Sequence, residues 1–184
     1  VLVQHLTLWI GFIGAVLATR QNKLLALTQR SLFSKDNSFH IGRWIAKVTT
    51  FLVLVSLAWG SWDLVKIEMQ YPIDIAPNIP RWVAQLIMPL GFILMAIQVY
   101  FNSYSKQHLR ITLIIIAFLF SLTAITEMIF DVLPAVYIGS LILIISLFFG
   151  APIFVGLGGL SIIFFWADFT PISAISAEAY RIVV

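Results

Sequence analysis

Apolar residues fall into six long runs along this chain, and polar residues gather in the intervals between them. The extreme case is Ile111–Phe130, ITLIIIAFLFSLTAITEMIF, in which sixteen consecutive residues from Ile111 carry no charge. Twelve of its side chains are Ile, Leu or Phe. At roughly −0.4 kcal/mol each they favour membrane insertion by about 5 kcal/mol, which outweighs a single Glu near one end. Lys106 and Arg110 precede this run, and Glu127 and Asp131 close it. Cytoplasmic loops carry the excess of Lys and Arg, so the run starts inside and ends outside. The other runs are Val3–Thr19, Val48–Val65, Val83–Phe101, Val136–Phe149 and Ile153–Trp166. The pattern predicts an all-α, polytopic membrane protein with about six transmembrane helices, its first residue facing outward.

Each run carries local signals. In the first, Gly11 and Ala15, and Gly14 and Ala18, are four apart and predict a close helix–helix seam along one side. The interval Arg20–Lys47 holds six basic residues and only Asp36 as an acid, which marks it as cytoplasmic. Within it KLLALTQRSLF suits either a short helix in the headgroup layer or an ordinary loop. Trp59 and Trp62 stand near the outer end of the second run, where amphipathic rings prefer to sit. Asp63 and Lys66, three apart, are expected to pair on one helix face. Three prolines in YPIDIAPNIPRW deny that connection regular helix and predict an ordered outer loop. Pro89, followed by Gly91, predicts a kink in the third run, because proline supplies no amide to the i−4 carbonyl. Near the end, Gly150-Ala151-Pro152 is the uncharged turn of a hairpin whose limbs are short for a bilayer of about 30 Å. Asp168–Val184, with Glu178 and Arg181, reads as an outer amphipathic segment leading into a further helix.

The loops not used to set this threading agree with it. Eight of the eleven Lys and Arg residues fall in the two loops assigned to the cytoplasm, and seven of the eight acids fall on the other side. Composition points the same way: 61% of residues are hydrophobic, 10% are charged, and the mean hydropathy is +1.02. The net charge of +3 reflects these topology-setting loops rather than a nucleic-acid surface. With no cysteine, disulfides, thiolate metal sites and a cysteine nucleophile are excluded. The chain opens without a Met and stops in YRIVV, and it reads as an internal piece of a longer polypeptide.

Candidate chemistry is sparse. His5, His40 and His108 lie at span ends or in loops on both sides of the membrane, an arrangement unsuited to paired haem ligands. Glu127 is the deepest acid, but with Asp131 one turn away it reads as a solvated carboxylate at the outer surface. The GLGG of Gly156–Gly159 lacks the lysine and hydroxyl of a phosphate loop, and is better explained by tight helix packing. No catalytic, substrate-binding, cofactor-binding or metal-binding residue is assigned.

QHLTLWIGFIGAVLATRQNKLLAL at Gln4–Leu27 and IPRWVAQLIMPLGFILMA at Ile79–Ala96 resemble the small membrane subunit of the tripartite ATP-independent periplasmic (TRAP) transporters. FFGAPIFVGLGGLSIIFFW at Phe148–Trp166 resembles the first hairpin of the large membrane subunit of the same family. The resemblance implies a fused small-plus-large subunit: residues 1–110 the small-subunit scaffold lacking its first helix, 111–133 a connector helix, and 134–184 the start of the large subunit. It further implies a sodium-driven importer of organic acids in the bacterial inner membrane. Its partners would be a periplasmic substrate-binding protein, the remainder of the large subunit and the lipid bilayer, with no nucleic acid. No cofactor is implied, and sodium would bind at sites outside these residues. A membrane anchor subunit of a respiratory enzyme and a structural assembly protein are the alternatives, the first disfavoured by the absence of mid-membrane histidines.

Overall fold

The structure, a computed structural model, describes residues 2–21, 38–76, 79–101 and 132–183. The Ile111–Phe130 run, the Lys23–Phe33 stretch, His108 and Glu127 lie outside the described residues. Helices α1 (Leu2–Arg20) and α2 (Ser38–Gln70) are followed by a small antiparallel pair, β1 (Asp74–Ala76) and β2 (Ile79–Pro80). Then come α3 (Arg81–Gln85), α4 (Ile87–Phe101), α5 (Val132–Phe148), α6 (Ile153–Ala167) and α7 (Ser173–Val183). Following the charge pattern, the end of the bundle bearing Asp63, Glu68 and Asp74 is termed outer.

The bundle is built around α2. At 33 residues it is about 50 Å long, well beyond the roughly 30 Å of bilayer hydrocarbon. Its apolar centre is the Val48–Val65 run, but the helix continues in both directions because hydrogen bonding, unlike hydropathy, does not stop where lipid does. It ends where Pro72 disfavours helical geometry at Tyr71. One side, Val53 and Leu57, packs with Leu143 of α5 and Val155 of α6. Another, Leu54, packs with Met95 and Ala96 of α4, and Phe12, Ala15 and Val16 of α1 close over it.

The third run is interrupted at Leu86, between α3 and α4 and one turn before Pro89. Pro89 has no amide to offer the Gln85 carbonyl, and the break falls at that point. In the described part of the loop before it, Arg81 N–H donates to Ile73 O at 2.8 Å beyond the β1–β2 pair.

The glycine seam expected along α1 is not where the spacing placed it. Gly11 and Gly14 are exposed, and a Cβ added at either meets nothing within 4 Å among the described residues. The close approach of α1 instead drives Phe12 into the space left by Gly91 of α4, where its ring meets Phe92 edge-on at 5.1 Å. The small residue therefore sits on the partner helix. GLGG, in contrast, does pack tightly. A Cβ at Gly156 would lie 2.6 Å from Leu147, one at Gly158 3.1 Å from Leu57, and one at Gly159 2.6 Å from Leu143. Ile153–Ala167 is thereby drawn against both α5 and α2.

The uncharged hairpin turn satisfies its own backbone. Ala151 N–H donates to Ser146 O at 2.9 Å and Gly150 N–H to Leu147 O at 3.2 Å. Gly150, at φ +95°, takes the position that terminates α5 without a Cβ penalty. Beside it, Ser146 Oγ donates to Thr49 Oγ1 of α2 at 2.9 Å, and Thr49 donates to its own helix at Ile45 O.

Candidate functional site

Polar side chains from four helices meet at the outer end of the bundle, under α7. This last helix has one buried side, Ser173, Ser176 and Tyr180. It lies on the outer half of α2, where Gly60 lets the Ile172 backbone approach: a Cβ there would be 2.9 Å from Ile172 O. Arg181 and Glu178, on the opposite side, pair at 2.7 Å in the open.

Tyr180 enters a cluster with Leu8 of α1 and Met88 of α4. Its hydroxyl is hydrogen-bonded to Nε2 of His5, which is itself only 6% exposed, and the rings meet edge-on at 5.6 Å. Burial raises the Tyr180 pKa above its ordinary value. The positive charge of Arg81 acts against this and the negative charge of Glu68 with it. The phenol is therefore neutral at physiological pH and pairs with imidazole as an uncharged partner.

Arg81, which opens α3, reaches back across the β1–β2 turn to Glu68 near the end of α2, Nη1 to Oε1 at 3.3 Å. Trp9 of α1 donates its indole N–H to Ala84 O at 3.0 Å, pinning α1 to α3. Gln85 is 1% exposed, and its Oε1 has no hydrogen-bond partner among the described residues. Among the described residues, no three His, Asp or Glu side chains are grouped so as to hold a metal ion. The His5–Tyr180 and Trp9–Ala84 hydrogen bonds and the Arg81–Glu68 ion pair join these helices at the junction, among the described residues.

The residues singled out from the sequence are dispersed. His5 is a buried junction residue at the end of its run, and the side chain of His40 is not described. Asp63 and Lys66 pair as expected, at 3.8 Å with both about half exposed, and the Lys66 ammonium lies 5.5 Å from the Trp59 ring centre. Gly156–Gly159 is packing surface. Opposite charges at Glu68 and Arg81, flanking a proline-rich turn, offered a sequence signal for their pairing. His5 and Tyr180 are 175 positions apart, and no local pattern links them.

The family model described as "Tripartite ATP-independent periplasmic transporters, DctQ component" matches residues 1–106. This chain belongs to that family. It is thus a membrane component of a TRAP transporter, and the family is one of transporter components rather than enzymes. Neither a curated protein nor a solved structure matches the chain. The DctQ match takes in α1 to α4 and with them His5, Glu68, Arg81 and Gln85, whereas Tyr180 lies beyond it. The junction therefore ties the DctQ part of the chain to a segment outside the match.

Proposed function

We propose that this DctQ-family chain is the scaffold part of a sodium-driven secondary transporter of the bacterial inner membrane. The transporter imports an organic acid delivered by a periplasmic binding protein. Residues 1–110 act as the small membrane subunit, 111–133 as a connector and 134–184 as the start of the large membrane subunit in the same polypeptide. The observation that carries the scaffold role is the His5–Tyr180 contact together with the seat of α7 on Gly60. Through them the helices after residue 131 are braced at the outer end against the DctQ part. Packing of α5 and α6 along Val53 and Leu57 braces the same helices at mid-membrane. Three buried hydroxyls of the described spans, Thr19, Thr50 and Ser61, bond back to their own helices, which suits a static element.

The test is uptake into proteoliposomes. Full-length protein with its binding protein should accumulate an organic acid only under an inward sodium gradient, while residues 1–184 alone should insert but move none. Sodium-coupled uptake by the fragment alone would overturn the scaffold reading. Threading is tested separately with single cysteines. Positions 35 and 106 should label only from the cytoplasm and positions 74 and 131 only from outside.

A further inference from the structure

Helix α6 ends on the same hydrogen-bond motif as α5. Thr170 N–H donates to Phe165 O at 2.8 Å and Phe169 N–H to Trp166 O at 3.1 Å. At the hairpin turn the left-handed position is filled by glycine, but here it is filled by Phe169, at φ +55°. A bulky residue is strained there because its Cβ crowds the following carbonyl. The ring gains no shelter from the protein in return, since Phe169 is 88% exposed. A strained backbone that displays a phenyl uncovered by the described residues calls for a partner beyond them.

The height of the ring in the bundle identifies that partner. Because Ile172 sits on Gly60, the turn carrying Phe169 leaves α6 at the level of Gly60 on α2. Trp59 and Trp62 are exposed at that level, and Trp166 is exposed at the end of α6. Toward the membrane centre from this layer, the exposed side chains are apolar: Ile153, Leu157 and Phe164 on α6, and Val55 on α2. On the other side the charges begin, with Asp63, Lys66 and Glu68, and Lys66 stands over the Trp59 ring. Apolar surface below an aromatic layer and charge above it is the profile of the boundary between acyl chains and headgroups.

We infer that Phe169 is a lipid anchor. Its ring inserts with those of Trp59, Trp62 and Trp166 at the outer boundary of a phospholipid bilayer, and it fixes the depth of the α6–α7 corner. Helix α7 then rides just outside the hydrocarbon, over the His5–Tyr180 junction, and the last two turns of α2 stand clear of lipid.

The chain has no cysteine, so nitroxide labels can be placed singly at positions 59, 74 and 169 of the full-length protein. The vesicles are of phosphatidylethanolamine and phosphatidylglycerol. Oxygen collisions should exceed those with a water-soluble nickel chelate at 59 and 169, and the order should reverse at 74. A water-type signature at 169 would overturn the anchor, as would shielding from both reagents, which would mark contact with another protein. A second variant tests the ring itself. Phe169→Gly relieves the backbone, so its unfolding midpoint in detergent should be no lower than the parent's, while a label at Thr170 in vesicles should shift toward the chelate. A lower midpoint would mean that the ring packs on protein, and an unshifted label would mean that it anchors nothing. Either result refutes the inference.

Discussion

Gly159→Ala tests whether the GLGG helix is drawn in by close contact. The added Cβ would lie 2.6 and 2.9 Å from the two Leu143 methyls and 3.2 Å from a Val53 methyl. These neighbours belong to different helices, so motion away from α5 presses α6 onto α2. Both are buried in one cluster with Val155, which leaves little room for either to yield. Overpacking of this kind costs about 1–3 kcal/mol. Alanine returns up to about 1 kcal/mol of helix propensity. The net expectation is a loss of about 1 kcal/mol. Gly14→Ala is the control: its Cβ meets nothing within 4 Å, so only the propensity gain, about 0.5–1 kcal/mol, should appear. The two variants should therefore differ by about 1–3 kcal/mol, a quantity free of the propensity contribution. Purified protein in mixed micelles, unfolded by SDS and followed through tryptophan fluorescence, supplies the measurement. Adding Leu143→Ala opens space at the clash, so the double variant should cost less than the sum of the singles by about 0.5–3 kcal/mol. Equal stabilities for Gly159→Ala and Gly14→Ala would show that α6 is not held at this contact.

Four further outcomes are expected. Tyr180→Phe removes the hydroxyl from His5 and should destabilise the attachment of α7 by about 1–3 kcal/mol, read as faster hydrogen exchange across Ser173–Val183. The raised Tyr180 pKa means that the folded state holds this proton more tightly than the unfolded chain does. Its contribution is complete below about pH 10 and is lost as pH climbs through the raised folded value, so the parent's stability should fall over that alkaline window more steeply than that of Tyr180→Phe. Asp63→Asn breaks an exposed pair and should change stability by less than about 1 kcal/mol, with a larger loss indicating that the Lys66–Trp59 stack depends on it. Gly150→Ala places a Cβ at positive φ and should cost about 1 kcal/mol or more in the same SDS titration, whereas an unchanged midpoint would mean that the hairpin turn relaxes to another conformation.

The apolar helices were legible from sequence because lipid solvates each segment separately: length, charge and hydropathy decide insertion without reference to a neighbour. The break ahead of Pro89 and the outer loop were legible for the same reason, since a missing amide acts on its own chain. The resemblance to the small membrane subunit of the TRAP transporters also reached the family, through the stretches at Gln4–Leu27 and Ile79–Ala96. The partner of each face was not legible. Gly11 and Gly14 promised a seam that the bundle builds instead from Phe12 and Gly91, because close packing is a property of two surfaces and a sequence shows only one at a time. The same holds for His5 and Tyr180, each ordinary in its own segment and joined only when α7 folds back over α1. Hydropathy located the apolar centre of α2 but not the ends of the helix, which are set by backbone hydrogen bonding and by Pro72. Phe169 is the strongest case: Pro171 signals that the helix stops, but nothing in the string FWADFTP marks residue 169 as the left-handed one.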